Sequence, residues 1–344
     1  MRESIFSSSV RSFFVGLFGM AGIILGLLLT ISLFSSLGSS DSDIDTTYTQ
    51  EILPNAAGVR KSLSKDAPVI LQLNINGIIG GESIDMNNIR QQLVESREGS
   101  LANDRVKALL LNIQTPGGTV VDADGIYHAI KTYKEKYKVP VYAFVDGLCA
   151  SGGMYVACAA DKIYATDVSL IGSVGVVTPP FMNVSQLMDR FGVQSLTLSA
   201  GKDKDNLNPF RPWRPDEAET YQQLIDYFYT DFVSIVSTAR PKLTKEKLVQ
   251  EYGAKVFPAR TAQEYGYIDE SGVSMSEALT RLAHEIGIQD DYYQVVTLSQ
   301  PWYTGLFKTN MSVFSGVVKH QLEFSPETHP KLQNQFLYLY RPGA

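Results

Sequence analysis

Two glycine-rich turns contain the residues that are best suited to chemistry. Residues 115–119 read Thr-Pro-Gly-Gly-Thr, and residues 146–153 contain Ser151 followed by two glycines. Each turn follows an apolar segment and precedes a helical pattern, so in a parallel sheet both lie at the carboxyl edge, where ligands bind. Glycines allow close approach to the backbone, and a free N–H there can stabilise an oxyanion. The pattern predicts a nucleophilic role for Ser151, although a serine that only caps its helix fits the same residues.

A nucleophilic serine needs a base, which is usually histidine. His128 falls inside the helix predicted after the first turn, and the other histidines fit surface or packing positions; they are His284, His320 and His329. A lysine can replace histidine if desolvation lowers its pKa from ~10.4 to ~7. The candidates are Lys202 and Lys204, within a Lys/Asp run that also fits a solvated loop.

The elements that position these turns alternate between strands and helices from Pro68 onward. Apolar runs and helical periodicity predict strands at 69–75, 106–113, 141–145, 162–165 and 175–177, and helices at 86–96, 122–137, 151–160, 184–191, 215–239, 245–252 and 276–286. Single helices between strands imply parallel pairing through right-handed crossovers. The predicted fold class is therefore α/β.

The N-terminal region contains an apolar segment, residues 13–37, without a charge. At ~1.5 Å per residue it is long enough for the ~30 Å hydrocarbon core of a bilayer. Arg2 and Arg11 precede it and Asp41 follows it, which places the N-terminus in the cytoplasm and the rest of the chain outside. Small residues near Gly38 also fit a cleaved signal peptide, but the apolar core of such a peptide should have only ~7–15 residues.

These patterns divide the chain into five parts. They are a cytoplasmic N-terminus (1–12), a transmembrane anchor (13–37), a Ser- and Asp-rich linker (38–67), a catalytic domain (68–290) and a C-terminal extension (291–344). A net charge of −6 does not indicate the basic surface that binding to nucleic acid requires. The 44% hydrophobic content excludes a disordered chain, and two nearby cysteines, Cys149 and Cys158, exclude a disulfide scaffold.

Several of these motifs occur together in one known family. The turn at 116–118, the helix start at 150–155, residues 160–163, residues 172–176, and Lys204 followed by Pro209 and Arg211 stand in the order found in signal peptide peptidase A. The chain resembles that family over about residues 69–270 and in its N-terminal anchor. The resemblance implies a Clp-protease and crotonase-like fold, a serine/lysine dyad without cofactor or metal, and a homo-oligomer.

The resemblance also assigns roles to individual residues. Ser151 matches the nucleophile, Lys204 the general base, and Ser173 a serine that orients the lysine. The backbone of Gly118, with an N–H at Ser151 or Gly152, matches the oxyanion hole. One extra residue before Lys204 leaves Lys202 as the alternative base.

Two neighbouring residue types bear on this assignment. Asp203 and Asp205 must point away from the amine, because a nearby carboxylate would favour the ammonium form. Cys149, two residues before Ser151, would need its own base to act as a nucleophile, and it fits better as a small buried residue.

The expected function is that of a serine endopeptidase anchored in the bacterial plasma membrane, with an extracytoplasmic catalytic domain. Its expected partners are the bilayer, further copies of the chain, and extended apolar peptides, including signal peptides left after export. The helix at 215–239 is the expected subunit contact, across which Ser151 and Lys204 would meet. The alternatives are a crotonase-type acyl-CoA enzyme and a catalytically inactive scaffold that binds apolar peptides.

Overall fold

The computed structural model describes residues 5–37, 48–81, 84–299 and 335–340. The chain divides into two compact units, Met1–Thr46 and Thr47–Ala344. The first contains helix α1 (Ile5–Leu37), in which the 20 residues Arg11–Thr30 have a mean hydropathy of 2.3 and no burial. Among the described helices, α1 alone has the length and composition to cross a bilayer, and it coincides with the predicted anchor.

The second unit is built on one mixed sheet with a small second sheet beside it. Its strands are β1 (Thr49–Leu53), β2 (Val69–Asn76), β3 (Val106–Thr115), β4 (Gly117–Thr119), β5 (Val141–Ala150), β6 (Lys162–Ala165), β7 (Leu170–Gly172), β8 (Val256–Pro258), β9 (Glu270–Ser271), β10 (Gln294–Ser299) and β11 (Leu337–Leu339). The main sheet has the order β1-β10-β2-β3-β5-β6-β9, and β7 pairs with β5 and β8. Pairing is parallel from β10 to β9, as expected for an α/β fold.

The helices of this unit connect and cover the strands. They are α2 (Met86–Glu95), α3 (Val120–Tyr137), α4 (Gly152–Ala157), α5 (Ser185–Arg190), α6 (Glu219–Ala239), α7 (Ala259–Tyr265) and α8 (Met275–Glu285), with a 3-10 turn at Gly99–Leu101 and a π-helix at Lys247–Tyr252. The larger core includes α2, α3, α4, α6 and α7, whereas α8 packs against the opposite face of the sheet. The predicted α/β class is confirmed.

Strand β2 shows why the sheet is buried on both faces. Leu71, Leu73 and Ile75 point into the larger core, and Ile70 points into the core under α8. Consecutive apolar residues, as at Val69, Ile70 and Leu71, are typical of a parallel strand covered on both sides. The sheet therefore fixes the strand ends, and with them the turns that carry the candidate site.

The predicted linker and C-terminal extension both contribute strands, which corrects the predicted boundaries of the catalytic domain. Strand β1 lies within residues 38–67 and pairs antiparallel with β10, which itself pairs with β2. The sequence of β1 gave no apolar signal because it is an edge strand whose first three side chains are exposed. Strand β10 lies within residues 291–344, and Val295, Val296 and Leu298 are buried.

Two strands near the site also differ from the prediction. Strand β5 does not end at Val145 but continues to Ala150, because its last residues pair with β7. The strand expected at 175–177 is instead formed by Leu170–Gly172. Val177 contributes an isolated bridge to Leu337.

We predict that a chain ending at Ser299 unfolds cooperatively in detergent, whereas a chain ending at Asp290 does not. The shorter chain loses β10, which leaves β1 without a partner and exposes the edge of β2. Each large aliphatic side chain removed from the core forfeits roughly 1.5–3 kcal/mol of burial. Thermal melts followed by circular dichroism decide between the two boundaries, and equal cooperativity of both variants would contradict the role given to β10.

Candidate active site

The pairing of β7 with the end of β5 places two of the predicted site serines together. Ala150 lies opposite Gly172 in this register, and Ser151 and Ser173 directly follow them. The Ser151 N–H donates to the Gly172 carbonyl oxygen at 2.9 Å. Both serines are buried, and both have a positive φ, 54° for Ser151 and 55° for Ser173. The register of the sheet therefore brings both serines to its carboxyl edge.

Ser151 occupies a strained turn between β5 and α4. Its φ of 54° and ψ of −115° lie in a region that residues other than glycine rarely adopt. Within the described part of the chain its hydroxyl accepts no hydrogen bond from the first turn of α4; it donates to the Gly175 carbonyl oxygen at 3.4 Å. The interpretation of Ser151 as a helix cap is therefore wrong. A sharp strand-to-helix turn of this kind presents a nucleophilic oxygen at a sheet edge.

The turn that ends at β4 approaches the start of α4 so closely that it requires glycine. A Cβ atom on Gly117, which has a φ of +99°, would lie 1.9 Å from the Tyr338 carbonyl oxygen and 2.7 Å from the Gly152 nitrogen. A Cβ atom on Gly118 would lie 1.8 Å from the Ile79 carbonyl oxygen. Contacts below 3 Å are excluded for real side chains, so these two positions admit no other residue without rearrangement.

The backbones of Gly118 and Gly152 lie close together beside Ser151. The Gly118 nitrogen and the Tyr338 carbonyl oxygen both lie 3.2 Å from the place that a Cβ atom of Gly152 would take. The amide of Gly152 belongs to the residue after Ser151, at the start of α4. The structure therefore places the backbones of Gly118 and Gly152 side by side next to Ser151, where the family resemblance implies an oxyanion site.

A C-terminal segment of the chain lies as an extended strand across this point. Strand β11 pairs antiparallel with β4, Tyr338 opposite Gly118. The Val120 N–H donates to the Phe336 carbonyl at 2.9 Å and the Tyr340 N–H to the Pro116 carbonyl at 2.7 Å. The alternation of an antiparallel ladder makes Tyr338 and Gly118 a hydrogen-bonded pair, so the Gly118 N–H donates to the Tyr338 carbonyl oxygen.

The other edge of β11 pairs with the segment that follows Ser173. The Leu337 N–H donates to the Val177 carbonyl, and the Val177 N–H donates to the Leu337 carbonyl, both at 2.9 Å. An extended chain segment is therefore bound by its backbone on two sides, which is the mode expected for a peptide added to free strand edges.

The side chain of Tyr338 fills an aromatic pocket beneath the strand. Its ring lies 4.5 Å from that of Phe232 and 5.1 Å from that of Tyr155, centroid to centroid, and its hydroxyl donates to the Phe228 carbonyl oxygen at 3.0 Å. Only 1% of Tyr338 is exposed. The pocket accepts a large ring and offers one polar acceptor at its far end, so it is deeper than a site for small side chains.

The hydroxyl of Tyr155 fixes the wall of this pocket. It donates to Asp124 at 2.8 Å and lies 3.1 Å from a carboxylate oxygen of Asp231. Burial, followed by the hydrogen bond to Asp124, raises the pKa of Tyr155 far above its usual value. The hydroxyl therefore stays protonated and links α4 to α3 and α6.

Within the described residues, no hydrogen bond joins either candidate lysine to Ser151. Lys202 and Lys204 are exposed in the loop between α5 and α6, and the one hydrogen bond recorded for the Ser151 hydroxyl goes to Gly175. The structure thus brings together Ser151, Ser173, Gly118 and Gly152 but leaves Lys204 outside this group.

The loop that carries the lysines has a fixed conformation around Arg211. The Arg211 guanidinium binds the Asp205 carboxylate at 2.6 Å and the buried Glu217 carboxylate at 2.5 Å. The hydrogen bond from Arg211 holds the pKa of Asp205 below its usual value. Asp205 is thereby engaged with Arg211 rather than with Lys204, as the use of Lys204 as a base requires.

The remaining titratable candidates do not contact Ser151 in the described residues. His128 is exposed on α3, 3.3 Å from Asp124, and His284 lies on α8 on the other side of the sheet. Cys149 is free and buried, and burial raises the pKa of its thiol. His320 and His329 lie outside the described residues.

Sequence reasoning missed Thr115 and Tyr338. Thr115 directly precedes the Pro-Gly-Gly turn, and its hydroxyl accepts a hydrogen bond from the Gly117 N–H. The position of Thr115 in the sequence could have indicated this role, because a hydroxyl beside a tight turn commonly binds the backbone of the turn. Tyr338 lies in a segment without regular period, and only the pairing of β11 with β4 reveals its position.

Comparisons with known proteins agree with this fold. The profile of Clp protease matches residues 73–171, which confirms the predicted Clp-protease-like fold. The profile of peptidase family S49 matches residues 133–289, which include Ser151, Ser173 and Lys204.

Three relatives span different parts of the chain. A candidate protease of Synechocystis sp. is 34% identical over 194 residues, 56% of this chain and 68% of that protein. A candidate signal peptide peptidase SppA of Enterococcus faecium is 29% identical over 256 residues, which are 70% of this chain and 68% of that protein. The chloroplastic serine protease SPPA of Arabidopsis thaliana is 30% identical over 215 residues, which are 62% of this chain and 31% of that protein. On these matches and this geometry, the chain belongs to peptidase family S49, the signal peptide peptidase A family.

Proposed function

We propose that this peptidase is a membrane-anchored serine endopeptidase that cleaves extended apolar peptides, among them signal peptides left in the bilayer, with Ser151 as nucleophile and Lys204 as base. The observation that carries the proposal is the position of β11. A segment of polypeptide lies extended beside the start of α4, with Tyr338 paired to Gly118 and its carbonyl oxygen close to Gly152. A scissile carbonyl in the same position would face both the nucleophile and the oxyanion donors.

The proposed reaction follows from this placement. The Ser151 oxygen attacks the peptide carbonyl while the neutral amine of Lys204 takes its proton, and the N–H groups of Gly118 and Gly152 stabilise the oxyanion. The protonated lysine then gives its proton to the leaving nitrogen, which leaves an acyl-enzyme on Ser151. Water activated by the same amine hydrolyses this ester. Ser173, adjacent to Ser151, orients the amine through its hydroxyl.

The base is proposed to come from a second copy of the chain, because Lys204 is exposed in one copy and makes no hydrogen bond to the buried Ser151 among the described residues. The segment around Lys204 exposes an unusual set of large apolar side chains, as expected of a surface that another copy covers. They are Phe181, Met182, Leu187, Phe191, Val193, Leu196, Leu198 and Phe210.

The proposed contact surface differs from the one expected from the sequence. Helix α6 buries Phe232, Val233 and Val236 in the core of its own chain. Its exposed apolar residues are few, with Tyr227 at 68% and Leu224 at 40%. The preceding segment, 181–210, is therefore proposed as the main contact.

The proposed location combines helix α1 with the charge pattern around it. Arg11 lies at the N-terminal end of the apolar stretch, which favours a cytoplasmic N-terminus and an extracytoplasmic peptidase domain. An anchored enzyme stays close to apolar peptides in the same bilayer.

We predict that Ser151→Ala abolishes cleavage of an apolar peptide and labelling by a fluorophosphonate, because both reactions need an activated hydroxyl. The thermal unfolding temperature should stay close to that of the wild type. Cys149→Ser, which alters the neighbouring buried thiol, is the matched control and should still label. Labelling of purified Ser151→Ala at the wild-type rate would show that the nucleophile lies elsewhere.

We predict that Lys204→Ala and Lys204→Arg are both inactive, since arginine stays protonated and cannot accept the serine proton. Lys202→Ala, two residues away in the same exposed loop, is the control and should retain activity. The assignment fails if Lys202→Ala alone is inactive.

Mixing the two inactive chains tests whether the site is shared. Co-assembled Ser151→Ala and Lys204→Ala chains should regain part of the activity, because some contacts join an intact serine to an intact lysine. A site within one chain would give no recovery in the mixture.

We predict that Tyr338→Ala lowers the apparent KM for a short apolar peptide several-fold while kcat changes little. Loss of the buried ring weakens β11, and an intramolecular strand that occupies the groove reduces the apparent affinity for added peptide in proportion to its occupancy. Tyr340→Ala, just outside the pocket, is the control. An unchanged KM in Tyr338→Ala would mean that β11 does not compete with substrate.

A further inference from the structure

The structure assigns to Thr115 the role of a positioning residue that holds the oxyanion strand β4 against the nucleophile's helix α4. The inference rests on the proposed function, since it takes the Gly118 N–H as an oxyanion donor. Thr115 is fully buried at the end of β3, one residue before the Pro-Gly-Gly turn.

The hydroxyl of Thr115 joins three strand ends. It accepts a hydrogen bond from the Gly117 N–H at 3.0 Å and donates one to the Gly77 carbonyl oxygen at 2.5 Å. One proton and one of its lone pairs are thereby used, and both partners are backbone groups. Gly77 follows β2, so this side chain ties the turn before β4 to the end of the neighbouring strand.

The methyl group of Thr115 makes a second, separate contact. A Cβ atom on Gly153 would lie 2.6 Å from the Thr115 Cγ2, so the methyl group occupies the space beside the first turn of α4. In the β3–β5 register Thr115 lies opposite Cys149, two residues before Ser151. One side chain therefore contacts the oxyanion strand through its hydroxyl and the nucleophile's helix through its methyl group.

This double contact explains why the position of the Gly118 amide depends on Thr115. The neighbouring Gly117 has a φ of +99°, which no side chain of its own stabilises. Its N–H is directed by the Thr115 hydroxyl, while its carbonyl accepts from the Ile79 N–H at 2.9 Å. Loss of the hydroxyl leaves the Gly117 N–H and the Gly77 carbonyl without this partner. The Pro116–Gly117 peptide can then rotate and change the φ of Gly117, which shifts the next peptide, the one that carries the Gly118 N–H.

Two substitutions separate the contacts. Thr115→Val keeps the branched shape and the contact with Gly153 but removes the hydroxyl. Thr115→Ser keeps the hydroxyl and removes the methyl group. Ser96→Ala is the control. It removes a buried hydroxyl that hydrogen-bonds to Leu93 and Tyr133 between α2 and α3, so its effect shows what the loss of a purely structural hydroxyl does.

The test uses the full-length assembly in detergent with three measurements. They are kcat and KM for an apolar peptide, the affinity for a peptide aldehyde that forms a tetrahedral adduct with serine, and the affinity for the matching peptide alcohol, which forms none. Removal of a whole oxyanion donor lowers kcat by about 100- to 1000-fold. A displaced donor should lower kcat and aldehyde affinity by roughly 10- to 100-fold in Thr115→Val.

The expected pattern is specific to a positioning role. Alcohol affinity in Thr115→Val should stay within about twofold of the wild type, Thr115→Ser should recover most of kcat, and Ser96→Ala should change only the unfolding temperature. The inference is overturned if Thr115→Val weakens aldehyde and alcohol equally, if it retains wild-type kcat, or if Thr115→Ser fails as badly as Thr115→Val.

A further measurement keeps this inference separate from the proposed function. If the wild type neither cleaves the peptide nor binds the aldehyde, the proposed function is wrong. Hydrogen exchange of the backbone over residues 115–119 still tests Thr115 in that case. Faster exchange in Thr115→Val than in Thr115→Ser supports the role of the hydroxyl, and equal rates refute it.

Discussion

The arrangement of this site depends on one close approach, that of strand β4 to the first turn of helix α4. A Cβ atom on Gly117 or Gly118 would collide with a neighbouring carbonyl oxygen, and a Cβ atom on Gly152 would lie only 3.2 Å from the Gly118 nitrogen. The proposed oxyanion site needs two amides from different elements close together, so it depends on these glycines. The parallel sheet makes this approach possible, because β3 and β5 end side by side and deliver both turns to the same edge.

Much of this arrangement could be predicted from the sequence, because it rests on local signals. Buried strands such as β2 and β3 show continuous apolar runs, and the turns at 115–119 and 146–153 show clustered glycines. The turns alone make Ser151 a candidate, and the family resemblance adds Ser173, Gly118 and Gly152. The register of the sheet places these four residues close together. The edge strand β1 and the segment β11 were missed for the opposite reason. Their places are set by pairing with distant strands, and their own side-chain patterns are too short to signal it.

The strained backbone of Ser151 also has a cause in the sheet. Strand β5 continues through a glycine at 147 to Ala150, and its pairing with β7 fixes the direction in which the chain leaves the sheet. Helix α4 must then start at once, because Gly153 packs against Thr115 and Tyr155 anchors the helix to Asp124. A residue between these two constraints has no freedom to relax to a common conformation, so the positive φ of Ser151 is imposed by the contacts on either side.

The separation of Lys204 from Ser151 gives the proposed mechanism a physical advantage. Lys204 is exposed to water in the single chain, and a lysine that acts as a base needs a contact that removes it from water. If the contact that desolvates Lys204 is also the one that brings it to the serine of another copy, an isolated chain has neither a base nor a complete site. The apolar side chains at 181–210 would then supply both the free energy of association and the dry surroundings that the amine needs. Assembly and activation become the same event, which suits a peptidase that must not act on other proteins before it is in place.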